Sequence, residues 1–409
     1  MPTVCLIGTL DTKGKEYAYL KDRVIALGAD VLLIDAGSVG PALTKPDIRA
    51  DEVATAAGTT LQALTRGKNR ANAIAAMATG VTSIVTDLVA TGRIDGIAAI
   101  GGSGGSTLAT EAMRALPVGF PKLMVSTVAS GQTHPYVGAV DVTMMHSVVD
   151  IAGINRISRR ILDNAAAAIV GMAAASAVAE DITSDKPLIA ATMFGVTTKG
   201  VTIAREWLEA RGNEVLVFHA TGTGGQSMEA LIGGGFISGV LDLTTTELAD
   251  ELVGGVLSAG PDRLEIAGKM GIPQVVSVGA LDMVNFGARD TVPAEFEGRN
   301  LHVHNATVTL MRTTPEECAE LGRRMAKKLN AATGPLAVFI PRKGVSSISI
   351  VGGPFHDPEA DAALFDALLA DLDDSIEVQD MSLDINNPAF AIAMADRLIE
   401  LVAMKVTQT

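Results

Sequence analysis

The chain has 409 residues, more than one hydrophobic core ordinarily organises, so its length predicts two domains of roughly 200 residues. Hydrophobic residues make up 48% of it, which is enough to build large buried sheets. Its formal net charge of −14 argues against a surface for nucleic acid, whereas small anions remain possible ligands because backbone N–H groups supply a local positive field.

Short β-branched runs alternate with longer helical patterns along the first half of the chain. This alternation predicts βαβ crossovers, and therefore a Rossmann-like α/β domain with a mainly parallel sheet flanked by helices. The predicted strands are Val4–Ile7, Val31–Ile34, Gly96–Ile100 and Leu123–Ser126, and the predicted helices are Lys15–Leu27, Arg70–Thr91, Ser106–Leu116 and Arg156–Val178.

Nothing in the pattern predicts a membrane protein. The apolar stretch Ala165–Ala179 is dominated by alanine and is shorter than the ~18–20 residues that cross a bilayer, so a buried helix is expected. The chain runs into its first strand without a basic region and a cleavage site. Cys5 and Cys318 form no CxxC motif, and a reducing compartment fits them. A cytoplasmic location is expected.

The polar segment 180–187 follows the long helix and marks the predicted boundary between a first domain, 1–182, and a second, 187–409. The same alternation then restarts and predicts a second Rossmann-like domain. The sequence leaves open whether the last helix of this domain, 388–404, packs on the first domain. The predicted strands are Leu188–Met193, Glu214–Phe218, Gly239–Leu243, Gln274–Val278, Leu336–Ile340 and Ile376–Gln379, and the helices are Thr202–Arg211, Gly225–Leu231, Pro315–Asn330, Pro358–Leu372 and Pro388–Met404.

The two halves contain similar strand-end segments. The first strand of each half ends in a Gly/Thr/Lys segment, 8–14 and 195–200. A second glycine cluster follows in each half, at 101–106 and at 222–226. Two related α/β domains, each with a crevice lined by strand-end loops, would produce this pattern.

A glycine-rich turn follows the buried strand Gly96–Ile100 and leads into a helix. Glycine lets the backbone approach a ligand closely, and a helix N-terminus presents N–H groups to phosphate. The turn lacks the ending of a P-loop and the GxGxxG spacing, so a purely structural turn is the alternative. The predicted phosphate-binding residues are Gly101, Gly102, Ser103, Gly104, Gly105 and Ser106.

Two further strand-end segments are expected at the same crevice. Lys13 is predicted to neutralise phosphate charge, and Asp11 to hold Mg²⁺ directly or through water. Ordinary capping and turn hydrogen bonds are the alternative role for the hydroxyl residues. The predicted nucleotide-binding residues of these segments are Thr9, Asp11, Thr12, Lys13, Ser126, Thr127, Ser130 and Gly131.

A second crevice is predicted in the second half, where His219 ends a strand before another glycine turn. His219 would act as acid or base there, with Asp242 or Glu247 as its partner. Helix capping explains Thr245 and Glu247 equally well. The other residues predicted in this crevice are Thr197, Thr198, Gly222, Thr223, Gly224, Gly225, Thr244 and Thr245.

His302 and His304 alternate with Val303, which in a strand places both imidazoles on one face. No third metal ligand is evident from the spacing. Structural or substrate-contacting roles are therefore favoured, and no metal site of the protein itself is predicted.

Long motifs run in a fixed order through the chain, at 7–13, 101–105, 126–133, 147–151, 193–198, 218–222, 239–247, 277–287 and 310–314. With them the chain resembles the family of the tomato mosaic virus resistance protein over essentially its whole length. The resemblance implies two Rossmann-like domains, ATP bound by the first, and a homodimer or higher homo-oligomer. It maps the nucleotide site onto Asp11, Thr12, Lys13, the 101–106 loop and Ser126 to Gly131. The family's loop commonly ends in Gly-Gly-Thr, and Ser106 retains that hydroxyl.

Three functions are compatible with these patterns. The first is an ATP- and Mg²⁺-binding protein whose second domain binds another small molecule or a protein. The second is a metabolic enzyme with its chemistry at His219 and Asp242 and with nucleotide as a regulatory ligand. The third is a non-catalytic module that binds a partner protein. Whether the protein is an enzyme is left open by the sequence.

Overall fold

The structure is a computed structural model that describes residues 1–67, 69–178 and 186–406. The chain divides into two units, residues 1–183 (unit 1) and 184–409 (unit 2). Residues 179–185, where most of the predicted boundary lies, are outside the described residues. Both units are α/β, with parallel sheets flanked by helices, which confirms the predicted fold class.

Unit 1 contains a five-stranded parallel sheet in the order β2-β1-β3-β4-β5. The order reverses between β1 and β3, and α/β sheets bind ligands at such a switch point, beyond the carboxyl ends of the strands. The elements are β1 Thr3–Gly8, α1 Leu10–Ala26, β2 Asp30–Asp35, α2 Ala50–Ala56, α3 Leu61–Arg66, α4 Arg70–Ala90, β3 Gly96–Gly101, α5 Ser103–Arg114, β4 Lys122–Ser126, α6 His134–Val137, β5 Thr143–His146 and α7 Arg156–Val178.

Helices cover both faces of this sheet, because alternate residues of each buried strand point to opposite sides. Val4 and Leu6 pack against α1 and α7, whereas Cys5 and Ile7 pack on the side of α2, α4 and α5. Among the described residues one helix, α4, has the length and hydropathy of a membrane span. Residues of this helix from Met77 to Leu88 pack in the core on the α2, α4 and α5 side of the sheet.

Unit 2 contains a six-stranded parallel sheet in the order β14-β13-β9-β8-β6-β7. If the strands of this sheet are numbered in chain order from β6, the order is 2-1-3-4-5-6. This is the order of unit 1 with β14 added as a sixth strand at one edge. The elements are β6 Leu188–Met193, α8 Thr198–Glu209, β7 Glu214–His219, α9 Thr223–Gly233, β8 Gly239–Thr244, α10 Glu247–Val253, α11 Ile266–Lys269, β9 Gln274–Gly279, β10 Met283–Phe286, β11 Leu301–Asn305, β12 Val308–Arg312, α12 Pro315–Asn330, β13 Leu336–Pro341, α13 Pro358–Asp371, β14 Glu377–Met381 and α14 Pro388–Val406.

Two features of unit 2 differ from the sequence-based expectations. Strands β10, β11 and β12 form a small antiparallel sheet, of which the sequence indicated only the alternation around Val303. Helix α14, whose packing was left open, lies against the sheet of its own unit. Phe390, Met394 and Leu398 are fully buried there, in the cluster that contains Leu241 of β8.

Several helices begin earlier than the sequence predicts. α1 begins at Leu10 rather than Lys15, α5 at Ser103 rather than Ser106, and α8 at Thr198 rather than Thr202. Glycine and threonine have low helix propensity and therefore favour a loop in the sequence pattern, but packing on the sheet overrides that preference. The predicted loop residues thus form first helical turns, whose N–H groups lack intrahelical partners.

Candidate functional site

A cavity of about 490 Å³ lies at the carboxyl ends of β1 and β3, at the switch point of unit 1. We call it the unit 1 cavity. The starts of α1, α4 and α5 and the loop after β2 form its walls. It brings together nine of the predicted nucleotide-binding residues: Thr9, Asp11, Thr12, Lys13, Gly101, Gly102, Ser103, Gly104 and Gly105.

The glycine turn, residues 101–105, presents a free helix N-terminus to this cavity. Gly102 has extended backbone angles and is the N-cap of α5, and no side chain of the described chain caps this helix. The turn is tight, because a Cβ on Gly101 would lie 3.0 Å from Cα of Gly105. The amides of 103–105 are therefore available to an anion, at the positive end of the helix dipole.

Tyr17 positions this turn from below the cavity. Its fully buried hydroxyl accepts a hydrogen bond from the amide of Ile100 at 2.8 Å and also contacts the carbonyl oxygens of Ile7 and Ile100. A Cβ on Gly8 would lie 2.1 Å from the Tyr17 ring, so only glycine allows this approach. Tyr17 therefore joins the carboxyl ends of β1 and β3. The sequence analysis missed it because its role depends on contacts between distant segments.

Asp35 and Asp11 fasten the start of α1 to the loop after β2. Asp35 accepts hydrogen bonds from the amides of Leu10 at 3.1 Å and Gly37 at 2.9 Å, and burial raises the pKa of its carboxyl. Asp11 Oδ2 accepts from the amides of Val39 at 2.8 Å and Gly40 at 3.2 Å. Asp11 Oδ1 is buried and has no hydrogen-bond partner in the described chain.

Two cations lie in the wall of the cavity. Lys13, where the backbone of α1 departs from helical angles, donates from Nζ to the carbonyl oxygen of Ile151 after β5. Arg70, the exposed first residue of α4, was not predicted from the sequence. Its only sequence signal is its place after the helix-capping Asn69, which nothing connects to a ligand.

The predicted hydroxyls of Ser106 and Ser126 do not line the cavity. Both side chains are fully buried, and their Oγ atoms lie 2.6 Å apart. Ser106 Oγ donates to the carbonyl oxygen of Gly102 at 2.8 Å, and Ser126 Oγ accepts from the amide of Val128 at 3.1 Å. The structural alternative therefore applies to both serines, which tie the glycine turn to the loop after β4.

The remaining residues of that loop lie at the edge of the site or outside it. Thr127 is close to the glycine turn, with its Oγ1 3.7 Å from the position of a Cβ on Gly102. Ser130 and Gly131 are exposed and are not among the residues that line the unit 1 cavity.

In unit 2 the second glycine turn, residues 222–225, is occupied by a side chain of the protein itself. Glu247 Oε1 accepts hydrogen bonds from the amides of Gly222 at 2.8 Å and Gly225 at 3.0 Å. A Cβ on Gly225 would lie 2.3 Å from Oε2 of Glu247, and one on Gly224 would overlap the carbonyl oxygen of His219 at 1.8 Å. Gly222 precedes α9, which begins with Thr223, Gly224 and Gly225. The glycines at 224 and 225 allow the close approach of the His219 backbone and the Glu247 side chain.

The fully buried Arg263 completes this network. Its Nε donates to Glu247 at 2.7 Å, and its two terminal nitrogens donate to Asp242 at 2.6 and 2.8 Å. Glu229 lies 3.5 Å away, and Thr192 Oγ1 donates to Asp242 at 2.8 Å. Burial alone would lower the pKa of Arg263, but the carboxylates hold it well above its ordinary value. Asp242 is thus a structural ion-pair partner.

The predicted acid–base pair of unit 2 is not assembled. Strand β6 lies between β7, which ends in His219, and β8, which contains Asp242. The His219 ring is exposed and stacks on Phe194, with ring centroids 5.5 Å apart. Asp242 is buried, and its described hydrogen bonds are to Arg263 and Thr192 rather than to His219.

The threonines of the predicted second crevice close the switch point of unit 2. Thr197 and Thr244 are fully buried, with their Oγ1 atoms 2.7 Å apart. Thr245 Oγ1 donates to the carbonyl oxygen of Ser277 at 3.1 Å, and Thr198 Oγ1 to that of Phe194 at 3.1 Å. An apolar cluster fills the neighbouring space, formed by Phe194, Val196, Ala280, Met283, Leu310 and Phe355.

His302 and His304 both lie in β11, as the alternation predicts. The His302 ring approaches Phe355 edge-on, at 6.1 Å between centroids. Over residues 1–67, 69–178 and 186–406 no cluster of three or more His, Cys, Asp and Glu side chains is arranged to hold a metal ion.

Comparison with known proteins places both units in one family. Residues 2–178 match the N-terminal domain, and residues 186–402 the C-terminal domain, of the uncharacterised protein family UPF0261. A UPF0261 protein of Clostridium tetani is 54% identical over 400 residues and covers 98% of both chains. The ToMV resistance protein Tm-1(GCR237) of Solanum lycopersicum is 40% identical over 423 residues, which span 98% of this chain and 56% of the tomato protein.

Likeness to solved structures is much weaker. UDP-GlcNAc 2-epimerase of Neisseria meningitidis, bound to UDP-GlcNAc, aligns with 68% of this chain and 82% of its own. The sequence identity is 11% and the TM-score is 0.22, so this likeness carries no argument about function.

Proposed function

We propose that this chain, which belongs to the UPF0261 family, binds the phosphate groups of ATP in the unit 1 cavity. One observation carries the proposal: the uncapped N-terminus of α5 opens into a cavity at the switch point of a parallel sheet. Such a position combines unpaired amides, the positive end of a helix dipole and space for a ligand. The resemblance to the tomato mosaic virus resistance family supports ATP as the nucleotide.

The size and charge of the cavity fit this ligand. Its volume of about 490 Å³ lies within the range of small-molecule sites, which is roughly 300–1,000 Å³. The protein carries a net charge of −14, yet Lys13 and Arg70 line the unit 1 cavity together with the free amides of 103–105. A local positive field is what a phosphate group requires in an acidic protein.

Asp11 is the residue that we propose as a Mg²⁺ ligand in this complex. Its Oδ2 is bound by backbone amides, but its buried Oδ1 has no partner in the described chain. Mg²⁺ in nucleotide sites is held by one or two carboxylates together with phosphate oxygens and water. Bound there, Mg²⁺ would neutralise phosphate charge, and Asp11 would fix its position relative to the glycine turn.

Gly104→Asp tests the proposal, because it places a carboxylate where the phosphate is proposed to bind. A Cβ at this position would lie 3.2 Å from the flexible tip of Ile74, and an acidic residue in the first helical turn is favourable, so the variant is expected to fold. Like-charge repulsion of about 3 kcal/mol should weaken ATP binding roughly 100-fold. Isothermal titration with ATP and ADP, with and without Mg²⁺, measures the effect.

Gly195→Asp is the matched control. Gly195 is exposed, has no atom within 4 Å of its Cβ position, and lies in unit 2, so the same change of charge is made far along the chain from the glycine turn. Its ATP affinity should equal that of the wild type. Equal ATP affinity of the two variants, or no nucleotide binding by folded wild-type protein, would contradict the proposal.

A further inference from the structure

Arg70 lies beside the glycine turn, in the wall of the unit 1 cavity. Its side chain lines the cavity, and Nη2 is 4.0 Å from the position of a Cβ on Gly104. The residue is exposed, and within residues 1–67, 69–178 and 186–406 its guanidinium has no ion pair or hydrogen bond. An exposed, uncommitted cation in a protein of net charge −14 is available to an anionic ligand.

The packing of α4 against α5 determines where Arg70 lies. Asn69 caps α4, because its Oδ1 accepts hydrogen bonds from the amides of Ala71 at 3.1 Å and Asn72 at 3.2 Å. One turn later Ile74 contacts the glycine turn, with its Cδ1 3.2 Å from the Cβ position of Gly104. The absence of a side chain at 104 therefore lets the start of α4 approach the start of α5.

Arg70 and Lys13 differ in what they contact. Lys13 Nζ is hydrogen-bonded to the carbonyl oxygen of Ile151, whereas the guanidinium of Arg70 faces the cavity without a protein acceptor. A guanidinium is planar and offers paired donors that match two phosphate oxygens, which a lysine ammonium does not. The amides of 103–105 can bind a phosphate group, and the guanidinium of Arg70 faces the same cavity next to them.

We infer that Arg70 makes the unit 1 cavity specific for nucleotides with two or more phosphates over nucleoside monophosphates. The inference rests on the proposed function, since it assigns Arg70 to the phosphate next to the one bound by the glycine turn. Arg70 is a specificity-determining residue in this arrangement. The ligand class of the site is a nucleoside di- or triphosphate.

Titration of AMP, ADP and ATP into wild type, Arg70→Ala and Arg70→Lys tests this assignment, with weak AMP binding measured by competition against ATP. Arg70→Ala should weaken ADP and ATP roughly 10- to 30-fold through loss of a charge-assisted pair, and AMP less than about two-fold. Arg70→Lys should recover part of that loss, because the charge remains without the fork geometry. Arg66→Ala, at an exposed arginine that does not line the cavity, should leave all three affinities unchanged.

The outcomes separate this inference from the proposal on which it rests. ATP binding by wild type that is unchanged in Arg70→Ala, or weakened equally for AMP, ADP and ATP, overturns the role of Arg70 alone. Absence of nucleotide binding by folded wild-type protein overturns the proposed function and this inference together.

Discussion

The two units share a strand order but differ at the edge where such sheets bind ligands. In unit 1 the amides at the start of α5 face a cavity of about 490 Å³. In unit 2 the amides of Gly222 and Gly225 are bound by Glu247, and a hydrogen bond between Thr197 and Thr244 closes the switch point. The edge of unit 1 is open to an external anion. In unit 2 the carboxylate of Glu247 already accepts the hydrogen bonds that the amides of the glycine turn would donate to an anion.

The difference teaches that a glycine-rich turn predicts accessible amides but not what they bind. The glycine turns also occupy different places, since 101–105 follows the third strand of its unit and 222–225 follows the second. What decides the outcome in unit 2 is Glu247, 22 to 25 residues away, together with the buried Arg263 that binds it. In unit 1 no described carboxylate hydrogen-bonds to the amides of 103–105.

The largest expected effect comes from removing the buried guanidinium of Arg263 in unit 2. Arg263→Met leaves Asp242 and Glu247 buried without their ion-pair partner, which costs about 3–5 kcal/mol of the free energy of unfolding. Urea unfolding followed by circular dichroism measures this loss. The control Arg323→Met removes an exposed arginine, 50% accessible and paired with Glu320, and should cost less than about 1 kcal/mol.

A companion variant keeps this test decisive if Arg263→Met fails to fold. The triple variant Arg263→Met, Asp242→Asn, Glu247→Gln removes the uncompensated charges and should regain most of the stability lost in the single variant. Equal losses in Arg263→Met and Arg323→Met would show that the ion-pair network does not hold unit 2 together. The comparison between an open and an internally occupied edge would then lose its energetic basis.

The second prediction concerns pH and the buried carboxyls of unit 2. Burial raises the pKa of Asp282 to about 7, although Arg312 and Ser346 favour its charged form and Asp361 opposes it. The folded state therefore binds more protons than the unfolded chain between about pH 4 and pH 7. Stability must fall as the pH rises through that window. The expected loss from this group between about pH 5 and pH 8 is about 2.5 kcal/mol.

Asp282→Asn should remove this contribution and flatten the pH dependence of unfolding. Asp250, whose pKa burial also raises to about 7, retains its own share in that variant. The exposed Asp290→Asn serves as the control and should leave the wild-type pH profile unchanged. A profile of Asp282→Asn that superimposes on the wild type would contradict the shift assigned to this carboxyl.

Several residues that line the unit 1 cavity could be predicted from short sequence motifs. The glycine turn, Asp11 and Lys13 all line the unit 1 cavity, because the carboxyl ends of adjacent parallel strands necessarily meet at one edge. Ser126 has the same loop chemistry, yet its hydroxyl points inward to Ser106. The sequence cannot distinguish a polar side chain that lines the cavity from one that forms an internal hydrogen bond, because both occur in the loop at a strand end.

The residues that sequence missed are those whose roles arise from long-range contacts. Arg70 precedes the glycine turn by a helix and a strand, and it reaches the cavity only through the packing of Ile74 on Gly104. Arg263 lies in a short polar stretch that carries no helix or strand signal. The fold itself was predictable because strand and helix periodicity recurs in every βαβ crossover, whereas helix starts at glycine and threonine depend on packing.

The smallest predicted effect tests a difference in backbone strain between the two edges. Among the described non-glycine residues, positive φ angles occur at Leu264 and Ala280, which are buried in unit 2, and at Val148, which is 66% exposed in unit 1. A β-branched residue in this region is strained by about 1–2 kcal/mol, and asparagine tolerates it better. Val148→Asn should therefore raise the free energy of unfolding by about 1 kcal/mol.

Val39→Asn is the control, since Val39 is 79% exposed and has no such backbone angle. Its stability should stay within about 0.5 kcal/mol of the wild type. Equal changes in the two variants would show that Val148 is not strained. Val148 lies two residues before Asp150 in the cavity wall, so a gain in stability accompanied by weaker ATP binding would indicate that the strain serves the open edge.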